Sequence, residues 1–171
     1  MQDQARSRDL FVTGLKNAHA MESQALSIMK PQAKRIDSYP QLKARLDQHI
    51  EETRVQVERL EGLLDKAGAD HSVLKDAAMS MAGGMSAMGH AAASDEVLKN
   101  TIADYAFENY EIAAYRSLIA LAENAGEAGA VPTLRQSLDE EEAMAGWLSE
   151  NLEPITHSYA ALSTAGADAK K

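Results

Sequence analysis

Glutamate interrupts the apolar stripes of this chain at positions that pair across turn signals. Glu22 and Glu52 lie 30 residues apart, and Glu111 and Glu141 repeat that interval 89 residues further on. Asp37-Ser38-Tyr39-Pro40 falls inside the first interval and Gly126-Glu127-Ala128-Gly129 inside the second. In a helical hairpin, residues equidistant from the turn stand side by side. Each pair is therefore expected at one level of a hairpin, and stacking two hairpins gathers four carboxylates at the middle of a bundle. Such a cluster is costly unless positive charge sits within it, and a pair of metal ions is the obvious candidate.

The periodicity supports long helices. Phe11, Leu15, Ala18, Glu22, Ala25 and Met29 follow alternating four- and three-residue steps, predicting a first helix from about Arg8 to Arg35 that Pro31 kinks or stops. Leu42, Leu46, Ile50, Val57, Leu60 and Leu64 predict a second, from about Pro40 to Ala67, with Gly68 as its stop. Its stripe turns polar at the waist, where His49, Glu52 and Gln56 share a face. A third helix is expected from an N-cap at Ser94 to about Asn124, with Leu98, Ile102, Tyr105, Glu108, Ile112, Tyr115 and Ile119 as its stripe. A fourth is expected from Pro132 to Leu152 on Leu134, Leu138, Glu141, Ala145 and Leu148. Residues 69–94, rich in Met, Ala, Gly and Ser, read as a crossover with a short helix over 72–81, and its methionines as packing. The segment from Pro154 reads as a tail that holds at most a short helix and then frays. The expectation is a single all-α domain over 1–171, its bundle at about 8–152. Two antiparallel hairpins joined by one long crossover form the ferritin-like arrangement.

The composition agrees. Helix formers dominate the 171 residues, and strand-like alternation is not apparent. A net charge of −9 argues against a sequence-independent grip on nucleic acid or an anionic membrane surface. Cysteine is absent, which excludes disulfides and thiolate ligands. The polar stretch Met1–Asp9 precedes no signal-peptide core, no apolar run spans a bilayer, and a cytoplasmic location is the default expectation.

A dinuclear non-haem site needs bridging and terminal carboxylates plus imidazole, a donor set that suits iron and manganese. The candidate ligands are Glu22, His49, Glu52, Glu108, Glu111 and Glu141. His49 precedes Glu52 by one turn, as Glu108 precedes Glu111. Glutamates at stripe edges can instead keep their heads in water, but four at matched spacing are read as a cluster. Glu140 and Glu142 point aside as surface charges, and Thr53 and Gln56 are expected to support the ligands. Tyr105 and Tyr115 are read as core packing first, with hydrogen bonds to ligands or electron donation as the alternative, His19 as a secondary ligand candidate, and His71, His90 and His157 as ordinary exposed residues.

The run His49-Ile-Glu-Glu-Thr-Arg-Val-Gln-Val-Glu-Arg-Leu60, with Glu108-Asn-Tyr-Glu-Ile-Ala-Ala-Tyr115, resembles the YciE/YciF family of bacterial ferritin-like proteins, over about Asp9 to Leu152. The resemblance implies a ferritin-like four-helix fold, a dinuclear metal site, a homodimer and association with stress responses. It hands over no reaction. Rubrerythrins and related di-iron enzymes carry Glu-x-x-His on two helices; here the order is His49-x-x-Glu52, and Leu138 and Met144 flank Glu141. The expected site is thus rich in carboxylate and poor in imidazole. The leading expectation is a stress protein with two metal ions, iron before manganese or zinc, that oxidises Fe(II) with O₂ or peroxide. The alternative is a metal-free helical interaction protein whose glutamates are protonated or paired with His49. A storage cage finds no support in the connector or tail.

Overall fold

The computed structural model describes residues 2–69 and 93–170. Its long helices are α1 (Gln2–Ala33), α2 (Pro40–Ala67), α3 (Glu96–Ala125) and α4 (Val131–Thr164), with a short 3₁₀ turn at Ala128–Ala130 before α4. The described residues form an all-α bundle of two hairpins, α1–α2 and α3–α4, with α1 packed on α3. The short helix expected over 72–81 and the methionine packing expected in the connector fall on 70–92 and lie outside the described residues.

Helix boundaries follow local chemistry. Gly68 and Gly126 close α2 and α3 with φ of +67° and +75°, left-handed conformations that glycine adopts without a Cβ clash. Pro40 and Pro132 sit in first turns, where no backbone N–H is missed. α1 begins six residues earlier than expected, runs through the exposed Pro31 and ends at Ala33. Its early start places Arg8 to donate to the Ala67 carbonyl (3.2 Å) and to Glu127 (3.3 Å), tying the two hairpins at one end.

Three expectations need correction. Ser94 does not cap α3: Asp95 precedes the first turn without a side-chain cap bond, and the Val97 N–H donates instead to the Lys170 carbonyl at 3.1 Å. The buried face of α3 is Val97, Thr101, Asp104, Glu108, Glu111, Tyr115, Leu118 and Ala122, whereas Ile102 is 57% exposed. α3 carries apolar residues all round, so large side chains do not mark its inner face; the unbroken four- and three-residue steps through both glutamates do. Third, α4 does not stop at Leu152. It continues through Pro154 because Ile155 is buried and Tyr159 and Leu162 pack against the core, which offsets a helix-interior proline cost of about 3 kcal/mol.

Nor does the end of the chain fray. After Gly166 it turns back as a strap across the far end of the bundle. The Tyr39 hydroxyl donates to the Ala169 carbonyl (2.6 Å), Ser38 Oγ donates to the Asp168 carbonyl (2.9 Å), and Ala169 is buried.

The core has two apolar halves and a polar waist. Phe11, Leu15, Leu60, Leu64, Leu118 and Leu134 fill one half; Met29, Leu42, Leu46, Val97, Leu148 and Ile155 fill the other. Gly14 lets α1 approach α3 closely, since a Cβ there would lie 2.8 Å from Leu118 Cδ1. Leu148 is fully buried. Leu148→Ala is expected to lower unfolding free energy in urea titration by about 2–5 kcal/mol, the range for a cavity in a rigid core.

Candidate metal centre

Each helix delivers acid or imidazole to the waist: Glu22 from α1, His49 from α2, Glu108 and Glu111 from α3, Glu141 from α4. All five are buried, although each stands in a stripe that is otherwise largely apolar. One potential ligand atom from each of His49, Glu108, Glu111 and Glu141 lies within 4.8 Å of all the others. His49 Nε2 is 3.2 Å from Glu108 Oε2 and 3.4 Å from Glu141 Oε2.

Glu22 lies outside this group of four but faces it. Tyr115 donates a 2.6 Å hydrogen bond to Glu22 Oε1, so Tyr115 does more than the core packing expected of it. Ser137 bonds the same phenol, and Arg59 reaches Ser137 Oγ at 3.3 Å. A polar chain thus runs from Arg59 through Ser137 and Tyr115 to Glu22. Arg59 also grips both oxygens of Glu140, at 2.6 and 2.9 Å, and Gln56 Nε2 donates to Glu140 at 3.0 Å. Glu140 is therefore a half-buried anchor between α2 and α4, not the free surface charge expected. Glu142 does point aside, to the exposed Arg116.

Glu52 stands behind the imidazole. Its Oε2 is 2.9 Å from His49 Nδ1, leaving Nε2 aimed at the carboxylates. Arg45 and Gln48 donate to Glu52 at 3.1 and 2.7 Å. A carboxylate on the far nitrogen fixes tautomer and ring orientation of a ligating histidine. Thr53 Oγ1 donates to the His49 carbonyl and so braces that turn. His19 is taken elsewhere, 3.2 Å from Glu61. His157 is exposed, Tyr105 and Trp147 are half-buried against the core, and His71 and His90 fall outside the described residues.

The electrostatics show a site short of positive charge. Burial, reinforced by neighbouring carboxylates, pushes the Glu22 and Glu111 carboxyls well above the usual range. Burial lifts Glu108 to about 8 against the opposing pull of His49. Burial alone would depress His49, but the carboxylates of Glu108, Glu141 and Glu52 beside its ring outweigh it and hold the imidazolium well above its ordinary pKa. Glu52, steadied first by His49, drops to about 2. Both oxygens of Glu111 and of Glu141, one each of Glu22 and Glu108, and His49 Nε2 are buried without a hydrogen-bond partner. Buried polar atoms are satisfied as a rule, so this concentration of open oxygens and one nitrogen around a single point fits a cation coordinated by carboxylate and imidazole.

Sequence reasoning missed Asp104. It is buried one turn before Glu108, accepts a hydrogen bond from Gln32, and is raised to about 7 by burial. The signal was its place in the 97-101-104-108-111-115 stepping, which the larger Ile102 and Tyr105 obscured.

Comparison with known proteins agrees with this architecture. A protein from Xanthomonas campestris pv. campestris matches in structure with a TM-score of 0.78 and 33% identity, over 93% of this chain and 99% of its own. Protein YciF of Escherichia coli (strain K12) is 29% identical over 142 residues, 79% of this chain and 83% of YciF. The crystal structure of the Escherichia coli stress protein YciF matches with a TM-score of 0.65 at 21% identity, over 85% of this chain and 94% of that one. Residues 6–161 match the family described as a domain of unknown function, DUF892, and this chain belongs to that family of YciF-type, ferritin-like four-helix proteins.

Proposed function

We propose that the waist of the bundle holds a dinuclear centre of divalent cations, with iron as the resident metal and manganese or zinc as competitors. The observation that carries this reading is the set of partnerless buried oxygens on Glu111 and Glu141, beside those of Glu22 and Glu108. In this reading Glu22, Glu108, Glu111 and Glu141 would supply the carboxylate oxygens and His49 the nitrogen that hold the ions. Glu52 serves His49 from behind, and Tyr115 holds Glu22 in one rotamer. Iron so bound supplies electrons to O₂ or peroxide, a role consistent with a cytoplasmic stress protein. The residues would exclude bulk water and neutralise the ions, and Glu52 on Nδ1 would leave Nε2 free for an ion in place of its proton. Ile102 and Tyr110, 57% and 49% exposed on the outer side of α3, give a homodimer an apolar face to cover.

The alternative is favoured by one observation: His49 Nε2 lies 3.2 and 3.4 Å from the Glu108 and Glu141 carboxyls, so an imidazolium paired with them can stand in for an ion. Elemental analysis of native protein, with anomalous scattering at the iron edge, separates the two readings. Two iron equivalents per chain at the waist are expected. A protein that stays empty at equilibrium with Fe(II), Mn(II) and Zn(II) has no such centre.

A further inference from the structure

A buried centre needs a way in. Glu96, Asn100, Asp104 and Glu108 succeed one another every four residues along α3, so they line one face from its first turn to the waist. Two small cavities follow that face. The outer one, about 10 Å³, is lined by Gln32, Arg35, Glu96, Asn100, Asp104 and Lys170, among others. The inner one, about 20 Å³, lies between α1 and α3 and is lined by Asp104, Glu108 and apolar side chains. Asp104 lines both cavities and stands between Glu96 and Glu108 along α3. Each cavity has room for about one water.

The lining is not merely acidic. Gln32 is buried and donates to Asp104, while its Oε1, like Glu96 Oε2, has no hydrogen-bond partner. Two cations of the protein's own stand at the mouth: Arg35 Nε, 2.6 Å from Glu96 Oε1, and Lys170 Nζ, 3.6 Å from Glu96 Oε2. Lys170 belongs to the C-terminal strap, whose hold on the bundle includes the bonds from Ser38, Tyr39 and Val97.

We infer that this face of α3 is the uptake route for divalent cations. Glu96 and Gln32 receive the ion at the strap end, Asp104 takes it across, and Glu108 delivers it to the waist. The inference rests on the proposed metal centre. Oxygen ligands one helical turn apart, about 6 Å, let hydration water be exchanged for protein oxygen in stages. Lys170 occupies the place of the incoming charge, so the strap must release Glu96 before uptake begins. Acidic, low-dielectric passages raise cation on-rates by about 10–10³, which sets the scale of the effect.

Stopped-flow absorbance of Co(II) binding to metal-free, full-length protein tests the route through its rate and the centre through its final stoichiometry. Asp104→Asn is expected to slow uptake about tenfold or more with stoichiometry unchanged. Lys170→Ala, remote from the waist, is expected to speed it severalfold. Wild-type rate and stoichiometry in Asp104→Asn overturn the route alone. Lost stoichiometry in Asp104→Asn makes Asp104 a ligand of the centre and overturns the route as drawn. Should Asp104→Asn fail to fold, Lys170→Ala decides, and an unchanged or slower rate overturns the route. Failure of wild-type protein to bind Co(II) overturns the centre and the route with it.

Discussion

Replacing Glu111 by methionine is expected to stabilise the metal-free protein while abolishing its response to metal. Glu111 is buried, and neither carboxylate oxygen has a partner. Methionine has nearly the same length and no branch, so it fills the space without strain and removes the desolvation cost. Exchanging a buried carboxyl without a partner for a packed apolar group is worth about 1–3 kcal/mol. The thermal midpoint of metal-free protein should rise accordingly, by about 2–12 °C. Wild-type protein at a hundredfold excess of Fe(II) over its dissociation constant should gain about 2.7 kcal/mol for each ion bound, whereas Glu111→Met should gain almost none. Calorimetric scans with and without Fe(II) under anaerobic conditions measure both effects. A variant that is less stable without metal, or that keeps the wild-type response, removes Glu111 from the centre.

The second large effect is on pH dependence. Glu108 has a pKa near 8 in the fold against 4.5 for an ordinary glutamate, and Asp104 about 7 against 3.8. For both, the folded state binds more protons than the unfolded state between those values, so unfolding free energy falls as pH rises. Their contribution is fully present below about pH 4 and is lost as pH climbs through 7 to 8. His49, raised by its carboxylate neighbours, acts in the same direction. Glu52, depressed to about 2, acts oppositely: its stabilisation fades as pH falls below 4.5. Metal-free protein should therefore be most stable in mild acid and lose on the order of 7 kcal/mol between pH 5 and 8, or about 14–28 °C in midpoint. Metal requires deprotonated ligands, so its stabilisation grows over the same interval and opposes the decline. Thermal scans at half-unit pH steps, metal-free and metal-loaded, check this. A metal-free midpoint that is flat or rising from pH 5 to 8 contradicts the electrostatics of the waist.

The helices that carry a contrast between faces were the legible ones. In α1 and α4 the stripes through Glu22 and Glu141 are the buried faces, because small or polar residues separate them from everything else. α3 offers no such contrast, and its inner face was assigned one residue off, to Leu98, Ile102 and Tyr105. That error hid Asp104 and left Tyr115 looking like simple packing. Glu52 and His49 show a second limit. Hairpin arithmetic puts Glu52 level with Glu22, but helical phase turns His49 fully inward and leaves Glu52 at the edge with Arg45 and Gln48. The tail was obscure for a third reason. Pro154 and a composition of Ala, Ser and Gly suggest an ending, whereas Ile155, Tyr159 and Leu162 continue the step from Leu148 and Leu152. The strap's anchors are backbone carbonyls, which no side-chain pattern announces.

The division of the waist between hairpins has a temporal meaning. α1 and α2 contribute Glu22 and His49; α3 and α4 contribute Glu108, Glu111 and Glu141. The four-residue group exists only where the hairpins meet, so neither half can template its own assembly around an ion. On the proposed metal reading, loading would follow docking, because the first hairpin alone carries only Glu22 and His49 of the set.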